Sequence, residues 1–300
     1  MNTQQIALVT YKDAGKYTGV SEEENARLHS FLNKKGLQVT LEIWDDPAVD
    51  WGKYDVVLLK SPWDYFDKIT AFYTWLDQLD KLQVRVLNPI KTVRWNADKR
   101  YLVELQEQGE NVVPSVWLEQ GTKLQTAEVF AQLQSDKIIV KPAVSGGAKN
   151  TFALTQEEAE AKTETINELL QQESFLAQPF VPEIQTKGEW SFLFFNGAYS
   201  HTVLKAAKAG DFRVQHFFGG TVHTPEPPAQ LLEAAHNLVD KYAQGCLYAR
   251  VDGVELNGEL VLMELELIEP FLFMATSEGA IERYYQALLE QLQQPSQSMA

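Results

Sequence analysis

The sequence predicts an α/β chain with α+β character toward its C-terminal end: a doubly wound N-terminal lobe, then two lobes of mixed helix and antiparallel strand. Three observations predict it. Up to about residue 87, short apolar strands alternate with helical runs in strand-helix-strand repeats, the pattern of a parallel sheet. Between residues 137 and 203 the strands are instead joined by glycine-rich or Asn-Gly turns. Residues 247 to 270, LYARVDGVELNGELVLMELELIEP, read as a further hairpin about Asn257-Gly258 that sets acids and an arginine into strand sequence.

A length of 300 residues suits two or three lobes, and 45% apolar residues can bury real cores. The formal charge of −15, with no basic tract to offset it, argues against a nucleic-acid partner. The N-terminus, MNTQQIALVT, has neither a positively charged start nor a long apolar run, so no signal peptide and no membrane partner are expected. Cys246 is the single cysteine, which fits a reducing, cytoplasmic location. Between Gly245 and Leu247-Tyr248, at a strand entrance, it reads as a buried thiol rather than a nucleophile.

Residues 6 to 10 form the first strand, and Ser21 to Lys35 a helix in which Ser21 and Glu24 have the spacing of a capping box. Gly36 ends it. Strands at Leu37 to Trp44 and Tyr54 to Leu59 follow, then a helix from about Lys68 to Leu79 and a strand at Arg85 to Leu87. Ser61-Pro62-Trp63-Asp64-Tyr65 leaves the third strand at its carboxyl end, where open parallel sheets bind ligands. Asp64 and Tyr65 are therefore substrate candidates, with a packed aromatic turn as the alternative. Neither GxGxxG nor GxxxxGK[ST] occurs, so a nucleotide would be held by another device.

Asn96 reads as the N-cap of the next helix, with Lys99 in its first turn, where a phosphate would be favoured by dipole and lysine together. A surface lysine is the plainer reading. The strand Lys137 to Val140 runs into Lys141 and the small-residue loop holding Ser145, Gly146 and Gly147; one cation and close backbone N–H groups suit phosphates, although a plain hairpin turn explains the glycines. Residues 157 to 172 read as a solvated helix. The strand Phe175 to Gln178 then enters Pro179-Phe180-Val181-Pro182-Glu183, an extended segment whose main chain could read an adenine edge or serve as an interlobe hinge. Gly188-Glu189-Trp190-Ser191 opens a hairpin about Asn196-Gly197, and Arg213 is a candidate clamp for phosphoryl or carboxylate oxygens. His201, His216 and His223 lack zinc spacing. A helix from about Pro228 to Gln244 leads to the acidic hairpin.

In that hairpin, a three-residue loop Asn257-Gly258-Glu259 would pair Leu256 with Leu260, Asp252 with Glu264 and Arg250 with Glu266. All four charged groups would then share one face, with Val251, Met263, Leu265 and Leu267 on the core face. A two-residue loop would put Asp252 on the other face. The first register is expected. Clustered carboxylates among apolar residues need a cation, and an all-oxygen set argues for Mg²⁺ or Mn²⁺ over zinc.

Taken together, Lys99, Lys141, the Ser145 to Ala148 loop, the Gln178 to Val181 segment and the acids Asp252, Glu264 and Glu266 resemble, in order and spacing, the ATP-grasp superfamily over nearly the whole chain. Glu264-Leu265-Glu266 stands where the glutathione-synthetase-like and ribosomal-protein glutamate ligases usually carry an E-x-N unit, one charge more negative. Trp44 to Pro47, Ser61 to Tyr65, Arg94 to Asn96, Asp98 to Tyr101, Gly188 to Ser191, Gly210 to Gln215, Tyr248 to Asp252 and Met263 to Pro270 are similar to the group that includes the O-ureido-serine cyclo-ligase of cycloserine biosynthesis.

The resemblance implies an ATP-grasp fold divided into a substrate lobe (1–92), a central lobe (93–181) and a C-terminal lobe with the metal site (182–300). It implies a carboxylate-amine ligase that uses ATP and Mg²⁺, acts through an acyl phosphate on a small carboxylate/amine substrate, and leaves a homodimer open. Lys99 and Lys141 would hold phosphates with Ser145, Gly146 and Gly147. Gln178, Phe180 and Val181 would hold adenine, Glu189 or Glu183 ribose, and Asp252, Glu264 and Glu266 the metal. Arg213 and Arg250 would steady the acyl phosphate. A glutamate or peptide ligase, a kinase sharing the ATP site and a non-catalytic ATP-binding protein are the alternatives.

Overall fold

The computed structural model describes residues 4–12, 21–208 and 219–294. Its N-terminal part alternates β1 (Gln5–Thr10), α1 (Glu22–Lys34), β2 (Gln38–Ile43), β3 (Val56–Ser61), α2 (Ile69–Lys81) and β4 (Arg85–Leu87). The four strands pair in parallel in the order β2-β1-β3-β4. Every residue of β3 is buried, as a parallel strand covered on both faces must be. The strand order reverses between β1 and β3, and Ser61 to Tyr65 leave the sheet at that switch point, as the sequence predicts.

Next come α3 (Ile90–Asn96), α4 (Arg100–Glu107), β5 (Val116–Leu118), α5 (Thr126–Leu133), β6 (Lys137–Pro142), β7 (Phe152–Thr155), α6 (Gln156–Ala161), α7 (Thr163–Leu170) and β8 (Phe175–Pro179). Their strands form an antiparallel sheet, β5-β8-β6-β7. The last part holds α8 (Glu183–Thr186), β9 (Glu189–Phe195), β10 (Ala198–Ala206), β11 (Thr221–His223), α9 (Ala229–Tyr242), β12 (Tyr248–Leu256), β13 (Glu259–Glu266) and α10 (Ala280–Gln293). Here the order is β11-β10-β9-β12-β13. One apolar core runs from Ile6, Leu28 and Val56 through Leu193 and Tyr248 to Tyr284 and Leu288, so α10 buries its stripe against the first sheet and the last one together.

Three local expectations are corrected. Ser21 and Glu24 do not form a capping box: the Glu24 carboxylate turns inward to Lys60 and to the backbone of residues 272 and 274. The capping box forms at Thr155 and Glu158 instead, and the polar run that follows breaks at Lys162 into two helices. Asn96 ends α3 rather than capping α4, because its amide bridges the end of the acidic hairpin, donating to the Leu265 carbonyl (2.6 Å) and accepting from the Leu267 N–H (2.9 Å). Lys99 takes the N-cap position of α4.

The acidic hairpin has the expected pairs at its charged end but reaches them differently. Leu256 pairs with Glu259 across a two-residue turn with Asn257 at φ 54° and Gly258 at φ 85°, the left-handed pair that an Asn-Gly turn of this length demands. A bulge in β13 at Met263 then absorbs one residue and restores the pairs Asp252 with Glu264 and Arg250 with Glu266. Gly253 allows it: a Cβ there would lie 2.7 Å from the Val261 carbonyl oxygen. Met263 accordingly leaves the expected core face and lines a cavity.

Candidate active site

That cavity, about 820 Å³, is lined by the two antiparallel sheets and by loop and helix-end residues of the N-terminal part, and is large enough for a nucleotide and a small second molecule. From the central part come Lys99, Lys141, Ser145, Gly146, Gly147, Gln178, Phe180 and Val181, all expected from the sequence; the last part supplies Glu189, Arg250, Asp252, Glu264 and Glu266. Tyr65 reaches it from the switch-point loop.

At the phosphate-loop end, Lys99 Nζ donates to the Ser145 carbonyl (2.7 Å) and pairs with Glu264 (3.0 Å). Lys141 is different: its ammonium donates no hydrogen bond among the described residues, and burial, with Lys99 nearby, pulls it below its ordinary range. A cavity-wall lysine without such a partner, balanced mainly by a Glu264 charge that it shares with Lys99, is an anion receptor in waiting. The loop is held by the N-terminal part, since Lys149 pairs with Asp67 (2.6 Å) and a Cβ on Gly146 would strike the Phe66 ring at 2.3 Å. At the hinge, the Phe180 N–H donates to the Lys137 carbonyl (2.8 Å) and so is not free to read a base. The Gln178 side chain donates to Ser115 Oγ (2.9 Å).

The acidic end is a network. Asp252 accepts from Ser191 Oγ (2.6 Å), Lys205 Nζ (3.0 Å) and both Nε and Nη2 of Arg250 (3.0 and 2.8 Å). Burial opposes its charge, but Arg250 and Lys205 outweigh burial and hold the carboxyl well below its usual range. Lys205 also binds Glu189 (2.5 Å), and Arg250 binds Glu266. Burial likewise opposes the Glu264 charge, and Lys99 and Lys141 win. Glu266 goes the other way: burial, with Asp252 and Glu264 beside it, overcomes Arg250 and raises its pKa to about 8.

Asp64, Glu183 and Arg213 fall outside this arrangement. Asp64 does not line the cavity; its oxygens are taken by Trp44 Nε1 and Lys68 Nζ, each at 2.6 Å, so Asp64 and Trp44 brace the N-terminal lobe. Glu183 starts α8 off the cavity, whereas Glu189 lines it. Arg213 lies outside the described residues. Among the described residues no three acids, histidines or cysteines converge as a metal cage. The donor chemistry nevertheless fits a hard divalent cation: on the cavity wall the five acids Glu189, Asp252, Glu264, Glu266 and Glu269 face the four cations Lys99, Lys141, Lys205 and Arg250, an all-oxygen set with one acid in excess.

Sequence reasoning missed Lys205, Glu269 and the role of Ser191 as a donor to Asp252, along with the apolar bed of Val113, Ile139, Ile184 and Met263. A lysine within the apolar β10 run was the available signal for Lys205; it pairs across the sheet with Glu189. Cys246 is buried at the end of the sheet, and burial pushes its thiol up to about 12. Cys246→Ala is therefore expected to leave turnover within about twofold and to cost about 1 kcal/mol in packing. Loss of turnover in a folded Cys246→Ala protein would restore the thiol as a candidate nucleophile.

Comparisons with known proteins agree with this fold. Residues 6–88 match the N-terminal domain family of the D-cycloserine synthetase DcsG, and residues 110–272 match the prokaryotic glutathione synthetase ATP-grasp domain. The cycloserine biosynthesis protein DcsG of Streptomyces lavendulae is 28% identical over 275 residues, 85% of this chain and 89% of that protein. A crystal structure of D-cycloserine synthetase DcsG superposes with a TM-score of 0.84 at 26% identity, covering 96% of this chain and 99% of that one. A D-alanine–D-alanine ligase from Bacillus anthracis shares the fold, with a TM-score of 0.71 at 18% identity over 96% of each chain. Among the described residues no helix is long and apolar enough to cross a membrane. With its lysines, glycine loop and acidic hairpin meeting in one cavity, the chain belongs to the ATP-grasp ligases of the prokaryotic glutathione synthetase family, ATP-dependent enzymes for which magnesium is usual.

Proposed function

We propose that this chain is a carboxylate-amine ligase acting through an acyl phosphate on a small amino-acid-like substrate, with ring closure of an O-ureido-serine-type molecule as the specific reaction. The observation that carries this reading is the convergence of Lys141, Lys99 and the carboxylate-rich hairpin in one cavity that Tyr65 also reaches. The similarity to DcsG at both the N-terminal lobe and the whole chain supports the ring-forming version. The lobes are assigned to residues 1–92, 93–181 and 182–300.

In this reading adenine lies on Ile139, Val113 and Met263, with the Phe180 carbonyl and Val181 N–H at its edge and Gln178 behind them. Glu189 is the ribose ligand. Lys99, Lys141 and the N–H groups of Ser145 to Gly147 neutralise the phosphates, which suits a reaction governed by positioning and charge. Asp252, Glu264 and Glu266 are assigned to Mg²⁺, with Mn²⁺ as a substitute; bound there, the cation would offset the negative charge of the phosphates. The substrate carboxylate attacks the γ-phosphorus and ADP leaves. A nitrogen of the same molecule then attacks the acyl carbon, phosphate leaves with the bond pair, and a ring closes. Arg250, oriented by Asp252, and Arg213 are assigned to the acyl phosphate.

Incubation with ATP, Mg²⁺ and hydroxylamine across a panel of amino acids including O-ureido-serine tests it. Carboxylate-dependent ADP with hydroxamate or cyclic product is expected. A product phosphorylated on a stable ester would indicate a kinase, and tight ATP binding with no carboxylate-stimulated turnover would indicate a binding protein.

A further inference from the structure

Between β13 and α10 the chain from Pro270 to Met274 has no secondary structure of its own, yet buried side chains hold its main chain residue by residue. Lys60 Nζ donates to the Pro270 carbonyl (3.4 Å), and Arg250 Nη1 to the Phe271 carbonyl (3.0 Å). Glu24 accepts from the N–H groups of Leu272 (3.0 Å) and Met274 (3.1 Å), while His201 Nε2 donates to the Leu272 carbonyl (2.9 Å). Glu24 and Lys60 pair with each other at 2.9 Å, both more than nine-tenths buried. Within this frame Phe273 sits at φ 49°, a left-handed conformation that an aromatic residue does not choose for itself. The surrounding contacts therefore impose the loop's shape.

What the loop presents to the cavity is an aromatic wall. Phe271 and Phe273 pack edge to face with centroids 4.9 Å apart, and the Arg250 guanidinium lies 5.8 Å from the Phe273 ring. Both rings line the same cavity as Trp63 and Tyr65, next to the acidic network. An apolar wall there bounds the space left for a carboxylate and keeps water from a reactive acyl phosphate.

We infer that Glu24, with Lys60, is a positioning residue for this wall: the pair fixes residues 270–274 so that Phe271 and Phe273 limit the site to small amino acids rather than peptide chains. The inference rests on the ligase reading. Glu24 borders the same cavity, but its carboxylate is taken up by two N–H groups and one ammonium, so it acts through the loop. Glutamine at this position would keep one acceptor and turn an N–H donor toward another donor.

The test compares Glu24→Gln with Glu24→Gln/Lys60→Met, which leaves no unpaired buried ammonium. Amide exchange at Leu272 and Met274 in the nucleotide-free protein is expected to accelerate by about tenfold or more, with β12 and β13 unchanged. In steady state the KM for the carboxylate is expected to rise about tenfold with ATP consumed faster than product forms, while the KM for ATP stays within about twofold. Phe271→Ala, which leaves the buried pair intact, should raise the carboxylate KM in the same way and admit a dipeptide that the unsubstituted chain rejects. Unchanged exchange, or faster exchange with an unmoved carboxylate KM, would overturn the assignment. Absence of carboxylate-dependent ADP from the unsubstituted chain would instead sink the ligase reading and the size limit with it, and exchange alone would then decide whether Glu24 holds the loop.

Discussion

Glu266→Ala is expected to lower carboxylate-dependent ADP formation by about 10³-fold and, in metal-free buffer, to leave the protein as stable as before or more so. The two effects have one cause. Glu266 is a half-buried carboxylate beside Asp252 and Glu264, and its partial burial and their charges together hold its pKa up to about 8 despite Arg250. Removing it takes away an assigned cation ligand and also relieves like-charge repulsion, and Arg250 keeps its bonds to Asp252 and to the Phe271 carbonyl. The folded-state pKa lies above the ordinary 4.5, so the native state keeps a proton that the unfolded chain releases. The contribution of this group to stability therefore falls as pH rises from about 4.5 through about 8. The melting temperature of Glu266→Ala should gain on that of the unsubstituted chain across this window, and Mg²⁺ should stabilise only the latter. Glu264→Ala should differ, losing turnover and stability together, because Lys99 and Lys141 would be left without their counter-charge. A Glu266→Ala protein with full substrate-dependent ADP formation would refute the metal assignment.

Asn88→Ala should produce the largest loss of stability from a single uncharged side chain, about 3 kcal/mol or more. Asn88 is fully buried, and its amide satisfies four backbone groups at once. It donates to the carbonyls of Tyr248 (2.9 Å) and Leu267 (2.8 Å) and accepts from the N–H groups of Leu247 (2.7 Å) and Tyr248 (3.3 Å). These contacts join the end of the parallel sheet to the base of the acidic hairpin, so alanine would strand polar groups where no water reaches. Urea unfolding should show a lower midpoint at an unchanged slope. A loss below about 1 kcal/mol would mean that the backbone finds other partners on relaxing.

Lys141, the glycine loop and the acid positions were legible because each sets a charge or a glycine in or beside strand sequence in which it has no packing role; Lys99 was legible from its place at a helix start. Asp64 misled for the opposite reason. Its place at a strand end looks functional, but Trp44 Nε1 and Lys68 satisfy it inside the N-terminal lobe. Asn96 and Glu24 likewise carried local capping signals that long-range partners overrode, at residues 265 and 267 for one and 272 and 274 for the other.

By itself the sequence determined the strand-helix alternation of the first lobe, the hairpins of the last part and the residue types of the site, because periodicity, turn residues and isolated charges are local properties. Tertiary structure decided which of those charges meet. The acidic hairpin shows why: Asn257-Gly258 dictates a two-residue turn, which alone would put Asp252 on the wrong face, and the bulge at Met263 opposite Gly253 turns it back. Lys205, Glu24 and Asn88 drew their roles from partners far along the chain. Such pairings depend on how the sheets are brought together in space, which no local pattern encodes.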